Sequence, residues 1–195
     1  MLLRLALGVV ALGAAFALAL PLAAPSLTQA LAQAPPAAAP SGDAFGESTT
    51  LPAKTTVFVK GSGSWDKAFE TISASFRKLK TYVDKEGLKT DGLPMTVFTA
   101  TDDTGFTYQA AIPIAEAPKN PPRGDIAVGT SPAGRALKFV HRGSYDGLDN
   151  TYEAITNYLD ERRLEAKDMF IEQYLTDPLA TNEDYLVVNV FVLIK

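Results

Sequence analysis

The segment KFVHRGSYD at residues 138–146 repeats the outline of VFVKGSGSWD at residues 57–66. Each is a short alternating run followed by Ser, an aromatic residue and Asp, and then by a helical pattern. Two further pairs of short runs match in the same order, MTVF at 95–98 with MFIE at 169–172, and IPI at 112–114 with VFV at 190–192. The offset between the copies drifts from 81 to 74 to 78 residues, as expected if loops differ in length and elements do not. We therefore predict two βαββ units related by a pseudo-two-fold axis, with a cleft between them.

Each copy contains an amphipathic helix. In the first, apolar residues recur at alternating steps of four and three, which places them on one helical face: Trp65, Phe69, Ile72, Phe76, Leu79 and Val83. The second has the same spacing, through Tyr145, Leu148, Tyr152, Ile155 and Leu159. Ser64 and Ser144 are the predicted N-caps, and the helices are predicted to end at Gly87 and near Arg163.

Short alternating runs predict six strands, at residues 57–60, 94–101, 107–114, 136–142, 169–175 and 185–194. The last run is almost entirely apolar, which predicts a central strand that is buried on both faces. The expected fold is α+β. It is a curved, mainly antiparallel sheet of duplicated βαββ units, with helices on one face and the ligand cleft on the other.

Residues 1–32 are predicted to be a signal peptide. Arg4 is their only charge, residues 5–22 are nearly all apolar, and residues 30–32 offer Ala at both small-residue positions of a cut before Gln33. The apolar run has about the length that spans a membrane, so an uncleaved amino-terminal anchor is the alternative. In both cases we expect an exported bacterial protein, either in the periplasm or anchored in the inner membrane.

Residues 33–53 are rich in Ala, Pro and Ser and have no apolar period, which predicts a flexible linker. The ligand-binding domain is predicted at 54–195, with repeat one at 54–116 and repeat two at 125–195. It contains no Cys, which excludes disulfides, thiolate metal sites and Cys nucleophiles. At 142 residues, this domain is long enough to be held together by an apolar core alone.

Cleavage would remove only one charged residue, Arg4. The mature chain would keep 17 basic and 22 acidic residues, a net charge of −5. An acidic chain lacks the basic surface that nucleic-acid binding requires, so we expect no nucleic-acid partner. Membrane contact is expected only through an uncleaved amino-terminal segment. The sequence identifies no protein partner.

An acid lies between two aromatic residues on one predicted strand. Alternation places Phe170, Glu172 and Tyr174 on one face, and Ile171 and Leu175 on the other, expected under the helices. Aromatic rings and a carboxylate together suit a cationic or aromatic ligand. The same pattern also fits an exposed strand face with a solvated Glu.

Residues 55–194 resemble the gyrase-inhibitor-like small-molecule-binding domain, with the stronger likeness in the second repeat. This family includes effector-binding domains of multidrug-responsive bacterial transcription activators. The resemblance is carried by a His-x-Gly-x-Tyr entry to the second helix and a Glu-x-Tyr-x-x-Asp-Pro run on the next strand. The matching residues are His141, Gly143, Tyr145, Glu172, Tyr174, Asp177 and Pro178. No helix-turn-helix accompanies the domain, and the last strand lacks the proline that is usual in the family.

The resemblance implies a cleft that binds hydrophobic, often cationic, molecules, with the acid at Glu172. We therefore predict an exported binding module rather than an enzyme, with no cofactor. Its predicted ligand-binding residues are Glu172, Tyr174, Phe170, Phe98, Tyr108 and Tyr145. The first alternative is a hydrolase of electrophilic small molecules, in which Glu172 is the general base and Tyr174 or Tyr145 the proton donor. The second alternative is a haem-binding protein.

Other candidate sites are weaker. His141 is the only histidine, so no histidine-rich metal site is predicted, and we interpret it as a strand-end residue rather than a catalytic base. Asp102 and Asp103 lack further oxygen ligands at the spacing of a calcium loop, which predicts a turn. Trp65 and Tyr145 are expected to pack in the core or at its rim.

Overall fold

The structure is a computed structural model that describes residues 44–195. They form eight strands and two helices: β1 (Glu47–Leu51), β2 (Thr55–Ser64), α1 (Ala68–Glu86), β3 (Met95–Thr101), β4 (Gly105–Pro113), β5 (Ile126–Thr130), β6 (Gly134–Gly143), α2 (Leu148–Arg162), β7 (Ala166–Tyr174) and β8 (Leu186–Ile194). Single 3-10 turns at Trp65–Lys67 and Glu183–Tyr185 precede α1 and β8.

The strands form one antiparallel sheet in the order β1-β6-β8-β7-β3-β4-β2-β5. Its six inner strands read the same from either end, because β6-β8-β7 of the second repeat mirrors β2-β4-β3 of the first. The predicted α+β fold with duplicated βαββ units is thereby confirmed. The predicted central strand is also confirmed, since β8 lies between β6 and β7, with Val188, Val190 and Val192 fully buried.

Each of the two outer strands pairs with the repeat that is more distant in the chain. β1 precedes repeat one in the chain but pairs with β6 of repeat two, and β5 lies at the start of the predicted repeat two but pairs with β2 of repeat one. This corrects the predicted linker at 33–53, because residues 47–51 belong to the sheet. The polar segment Glu47–Leu51 has no apolar alternation of its own and becomes a strand only through its register with Gly134–Lys138. The rest of that linker, up to residue 43, lies outside the described residues.

The repeats meet where β3 pairs with β7. Phe98 lies opposite Phe170, and Thr96 lies opposite Glu172. The pseudo-two-fold axis passes through the Val97–Ile171 pair between them. Residues that face the helices at this junction are therefore contributed by both repeats.

Helix α1 buries the predicted face, with Ile72, Phe76 and Leu79 at most 1% exposed. It ends as predicted at Gly87, whose φ of 62° caps the last turn in the left-handed region. Helix α2 ends at Arg162, and Arg163 adopts the same left-handed conformation with φ 54°. None of the helices within residues 44–195 is long and apolar enough to cross a membrane. The predicted signal peptide at 1–32 lies outside the described residues.

The orientation of β7 differs from the prediction. Tyr174 packs with the helices in the larger core, whereas Ile171 belongs to a second apolar cluster on the other side of the sheet, together with Val97 and Phe191. The face that carries Glu172 is therefore the helix face, and the predicted cleft on the opposite face is corrected. Leu175, expected under the helices, is 43% exposed just beyond the end of the strand.

Candidate functional site

A cavity of about 570 Å³ opens between the amino-terminal turns of α1 and α2, over the junction of β3 and β7. Both repeats contribute to it, because its lining includes Trp65 and Phe98 of repeat one and Tyr145 and Phe170 of repeat two. Five of its lining residues are aromatic: Trp65, Phe98, Tyr145, Tyr152 and Phe170. Four are acidic: Asp146, Asp149, Glu153 and Glu172. No Lys, Arg or His of the described chain lines it.

Glu172 is the buried acid of this cavity, with only 1% of its surface exposed. Three tyrosine hydroxyls donate hydrogen bonds to its carboxylate. Tyr152 contacts Oε1 at 2.8 Å, and Tyr174 and Tyr145 contact Oε2 at 2.7 and 3.3 Å. These donors come from β7, from α2 and from the turn that precedes α2, so the cluster joins the sheet to the second helix.

Burial raises the pKa of the Glu172 carboxyl from 4.5 to about 7, against the hydrogen bonds from Tyr174, Tyr152 and Tyr145, which lower it. The pKa values of all three tyrosines are raised well above 10, first by burial and then by the charge of Glu172. The hydroxyls therefore remain protonated donors near neutral pH, while the carboxyl is divided between its neutral and charged forms.

Aromatic rings form two groups in the lining of the cavity. Trp65 stacks on Phe98 at a centroid distance of 6.2 Å, and its indole Nε1 donates to the Asp102 carbonyl at 2.8 Å. On the other side, Tyr152 meets the edge of Phe170 at 5.4 Å. Trp65 is 42% exposed, so this cavity presents an accessible indole face at one wall and phenyl rings further in. Such rings can stack on an aromatic ligand or attract a cation.

Four of the six predicted ligand-binding residues line the cavity: Glu172, Phe170, Phe98 and Tyr145. Tyr174 does not line the cavity, but its hydroxyl donates a hydrogen bond to Glu172. The same hydroxyl lies 3.4 Å from Thr96 Oγ1. Tyr108 lies elsewhere under α1, where its hydroxyl is 2.7 Å from the Ser75 hydroxyl. The geometry thus separates Tyr108 from the cavity, and ligand binding by the other five residues stays a prediction.

Two lining aromatics were not among the predicted ligand-binding residues. Tyr152 follows Tyr145 by seven residues, which places both on one face of a helix, and this spacing could have identified it. Trp65 occupies the position in repeat one that Tyr145 occupies in repeat two. Its side chain was predicted to pack in the core or at its rim, and it lies at the edge of the cavity.

His141 has a structural position. Its Nε2 donates to the Ser144 carbonyl, its Nδ1 is hydrogen-bonded to the Thr151 hydroxyl, both at 2.8 Å, and the residue is 5% exposed. The Ser144 hydroxyl instead accepts from the backbone of Gly147 at 3.1 Å. These contacts do not form a Ser-His-Asp arrangement, and with both ring nitrogens engaged the imidazole is not free to bind a haem iron.

Asp102 forms the predicted turn between β3 and β4. Its Oδ1 accepts hydrogen bonds from the backbone and hydroxyl of Thr104, both at 2.7 Å, and from the backbone of Gly105 at 3.0 Å. These donors hold the pKa of the carboxyl below its usual value. Within residues 44–195, no group of three or more His, Cys, Asp or Glu side chains is arranged to hold a metal ion.

Residues 47–195 match a protein family described as GyrI-like small molecule binding domain. A comparison with curated proteins found no match.

Solved structures share the fold. EcmrR in its DNA complex has a TM-score of 0.66 at 14% identity. The match covers 76% of this chain and 56% of the EcmrR chain. The isolated EcmrR carboxy-terminal domain has a TM-score of 0.61 at 15% identity, covering 76% of this chain and 96% of that one. A hydrolase from Listeria innocua has a TM-score of 0.56 at 14% identity, over 77% of this chain and 92% of that one. The protein SAV2435 bound to tetraphenylphosphonium has a TM-score of 0.53 at 15% identity, over 78% of this chain and 94% of that one. At these identities the likeness establishes the fold.

Proposed function

Because the chain belongs to the GyrI-like small-molecule-binding family, we propose that it binds an organic cation with apolar or aromatic surface in the cavity between α1 and α2. The observation that carries this proposal is Glu172. Its carboxylate is buried among aromatic rings, and its hydrogen-bond partners are neutral hydroxyls. When Glu172 is charged, none of the residues 44–195 that line the cavity supplies a positive partner.

A cation would complete this arrangement. A buried carboxylate is costly unless it is paired, and three neutral hydrogen bonds offset only part of that cost. A ligand with a delocalised or shielded positive charge supplies the missing partner and loses less hydration than an ammonium ion. The five rings contribute contact area, and cation–π attraction adds about 0.5–2 kcal/mol. Tetraphenylphosphonium, the ligand bound to SAV2435, is a cation of this kind.

We propose that binding takes place outside the cytoplasm, after export directed by residues 1–32. The small-residue motif before Gln33 supports cleavage there. Intact-mass measurement of the protein from its native envelope tests this step. A mature chain that starts at Gln33 supports a released periplasmic module, whereas a full-length chain in the membrane fraction supports an anchored one. A full-length chain in the cytoplasm would overturn the export proposal.

Calorimetry with tetraphenylphosphonium at pH 8 tests the binding proposal. We expect Glu172→Gln to weaken binding at least tenfold, since it removes the counter-charge and leaves the volume unchanged. Glu116→Gln is the matched control, because it removes the same charge from an exposed position outside the cavity. Triphenylphosphine oxide, a neutral relative of the probe, should bind both proteins equally and weakly. Equal affinity of Glu172→Gln and the control for the cation would refute the role of the acid.

The hydrolase alternative also has an observation in its favour, namely a carboxyl whose pKa is raised to about 7 beside tyrosine hydroxyls. Such a group suits general-base catalysis near neutral pH. Glu172 would take a proton from water, the water oxygen would bond to a strained-ring carbon, and the opened ring would take a proton from the Tyr145 hydroxyl. The proton held by Glu172 would then return to the tyrosine. Steady turnover of an epoxide or activated cyclopropane that disappears in Glu172→Gln would establish this function.

A further inference from the structure

The wall that α2 and the turn before it present to the cavity has two levels. Tyr145 and Leu148 are buried, and Tyr152 reaches down to Glu172. Asp149 and Glu153, together with Asp146 just before the helix, are exposed and line the same cavity. We call Glu172 the floor and Asp146, Asp149 and Glu153 the mouth.

The three carboxylates of the mouth do not make a site on their own. They become part of one because they line the same cavity as a buried carboxylate whose partners are all uncharged hydroxyls. Among residues 44–195 none of the three forms an ion pair with a Lys or Arg. The negative charge of Asp149 adds to the raised pKa of the Tyr145 phenol, and the hydroxyl of that same tyrosine donates to Glu172 at the floor.

The facing wall carries no charge. It consists of Trp65 and Ala68 at the start of α1, and Phe98 and Thr101 on β3. A ligand in this cavity therefore meets carboxylates on one side, at two depths, and aromatic or small side chains on the other. A singly charged ligand that pairs with the floor leaves the charges of the mouth unused.

Building on the function proposed above, we propose that the cavity prefers ligands with two cationic centres joined by an apolar spacer. One centre pairs with Glu172 at the floor, and the other with Asp149 and Glu153 at the mouth. The spacer lies along Trp65 and Phe98. The dry floor supplies most of the affinity, because charge interactions are stronger where water is excluded. The wet mouth supplies a smaller, salt-sensitive part, about five- to tenfold in affinity.

The test compares alkane-α,ω-bis(trimethylammonium) ions with alkyltrimethylammonium ions of the same chain length, by calorimetry at pH 8 and low ionic strength. The double variant Asp149→Asn/Glu153→Gln removes two of the three charges of the mouth, namely the two that are proposed to pair with the second cationic centre. The matched control is Asp160→Asn/Glu161→Gln, which removes two exposed charges from the same helix outside the cavity. It corrects for the general attraction of a dication to an acidic protein.

We expect the wild type and the control to bind the best dication about five- to tenfold more tightly than its monocation. In the mouth variant that advantage should disappear, while affinity for the monocation stays within about twofold. The advantage should also shrink in 0.5 M salt, where the Debye length is only a few ångströms.

Two results would overturn the inference: no preference for dications in the wild type, or a preference that survives in the mouth variant. If monocations bind in a Glu172-dependent way in either case, the function proposed above stands without it. If neither class of cation binds the wild type, both proposals fail together.

Discussion

The hydroxyl of Tyr152 donates to Oε1 of Glu172 at 2.8 Å, which ties the middle of α2 to a central strand of the sheet. The donor is on a helix and the acceptor is on the strand that pairs with the other repeat. This hydrogen bond therefore links the helix, the sheet and the junction of the repeats, and it bears directly on the charge state of the buried acid.

Tyr152→Phe is expected to raise the pKa of Glu172 further above 7. The variant keeps the ring against Phe170 but removes a donor to the carboxylate, and hydrogen bonds to charged groups contribute about 1.5–3 kcal/mol. The pKa should rise by about 1, measured as the pH midpoint of cation binding. Tyr158→Phe on the same helix is the control, because its hydroxyl contacts the Gly46 carbonyl instead. The same midpoint in both variants would contradict the assigned geometry.

Glu172→Gln is expected to become more stable relative to the wild type as the pH rises from about 5 to 8. Below 4.5 the carboxyl is protonated in both the folded and the unfolded chain. Between 4.5 and about 7 the unfolded chain releases its proton first, so the wild type loses stability as the pH rises through that window and reaches a plateau above it. The full loss is about 3 kcal/mol, and the Gln variant does not suffer it.

Urea denaturation of both proteins at pH 5, 6, 7 and 8 measures this difference in the free energy of unfolding. Any constant effect of the Gln side chain cancels, because only the change with pH is compared. A difference that stays constant across this range would mean that the carboxyl titrates normally.

Cation affinity is expected to rise with pH and to level off above pH 7. Only the charged form of Glu172 attracts a cation. Each pH unit below the pKa of this carboxyl should therefore lower the cation affinity by close to tenfold. The surrounding phenols of Tyr145, Tyr152 and Tyr174 have pKa values raised well above 10 and remain neutral in this range. Calorimetry with tetraphenylphosphonium between pH 6 and 9 checks this, with Glu172→Gln expected to give weak binding that does not change with pH.

Trp65 is expected to report ligand binding directly. It is the only tryptophan of the chain and lies at the cavity wall, so a bound aromatic cation should change its fluorescence. Trp65→Leu should weaken binding about 2- to 30-fold, corresponding to the loss of about 0.5–2 kcal/mol of cation–π and stacking interaction. Tyr185→Leu removes an aromatic residue that is 72% exposed and outside the cavity, and should leave the affinity unchanged. Unchanged affinity of Trp65→Leu would place the ligand elsewhere.

The duplication, the helices and the six inner strands could be predicted from the sequence because each depends on local periodicity. Alternation along β7 correctly grouped Phe170, Glu172 and Tyr174 on one face. The outer strands β1 and β5 were missed, since short edge strands owe their conformation to the strands they pair with. Tyr152 was assigned only to the apolar face of a helix, because periodicity does not say what that face will meet.

Which side of the sheet the acid faces was decided by tertiary structure alone. Alternation states which residues share a face, but both faces of β7 carry apolar residues, so either could have been covered by the helices. The pKa and the hydrogen bonds of Glu172 were also decided by tertiary structure. Its raised pKa arises from burial by elements that are distant in sequence, and its hydrogen bonds come from Tyr145, Tyr152 and Tyr174, up to 27 residues away. The sequence by itself determined the elements and the chemistry available. Their packing determined that one carboxylate is buried in a cavity lined by aromatic rings and accepts hydrogen bonds from three tyrosine hydroxyls.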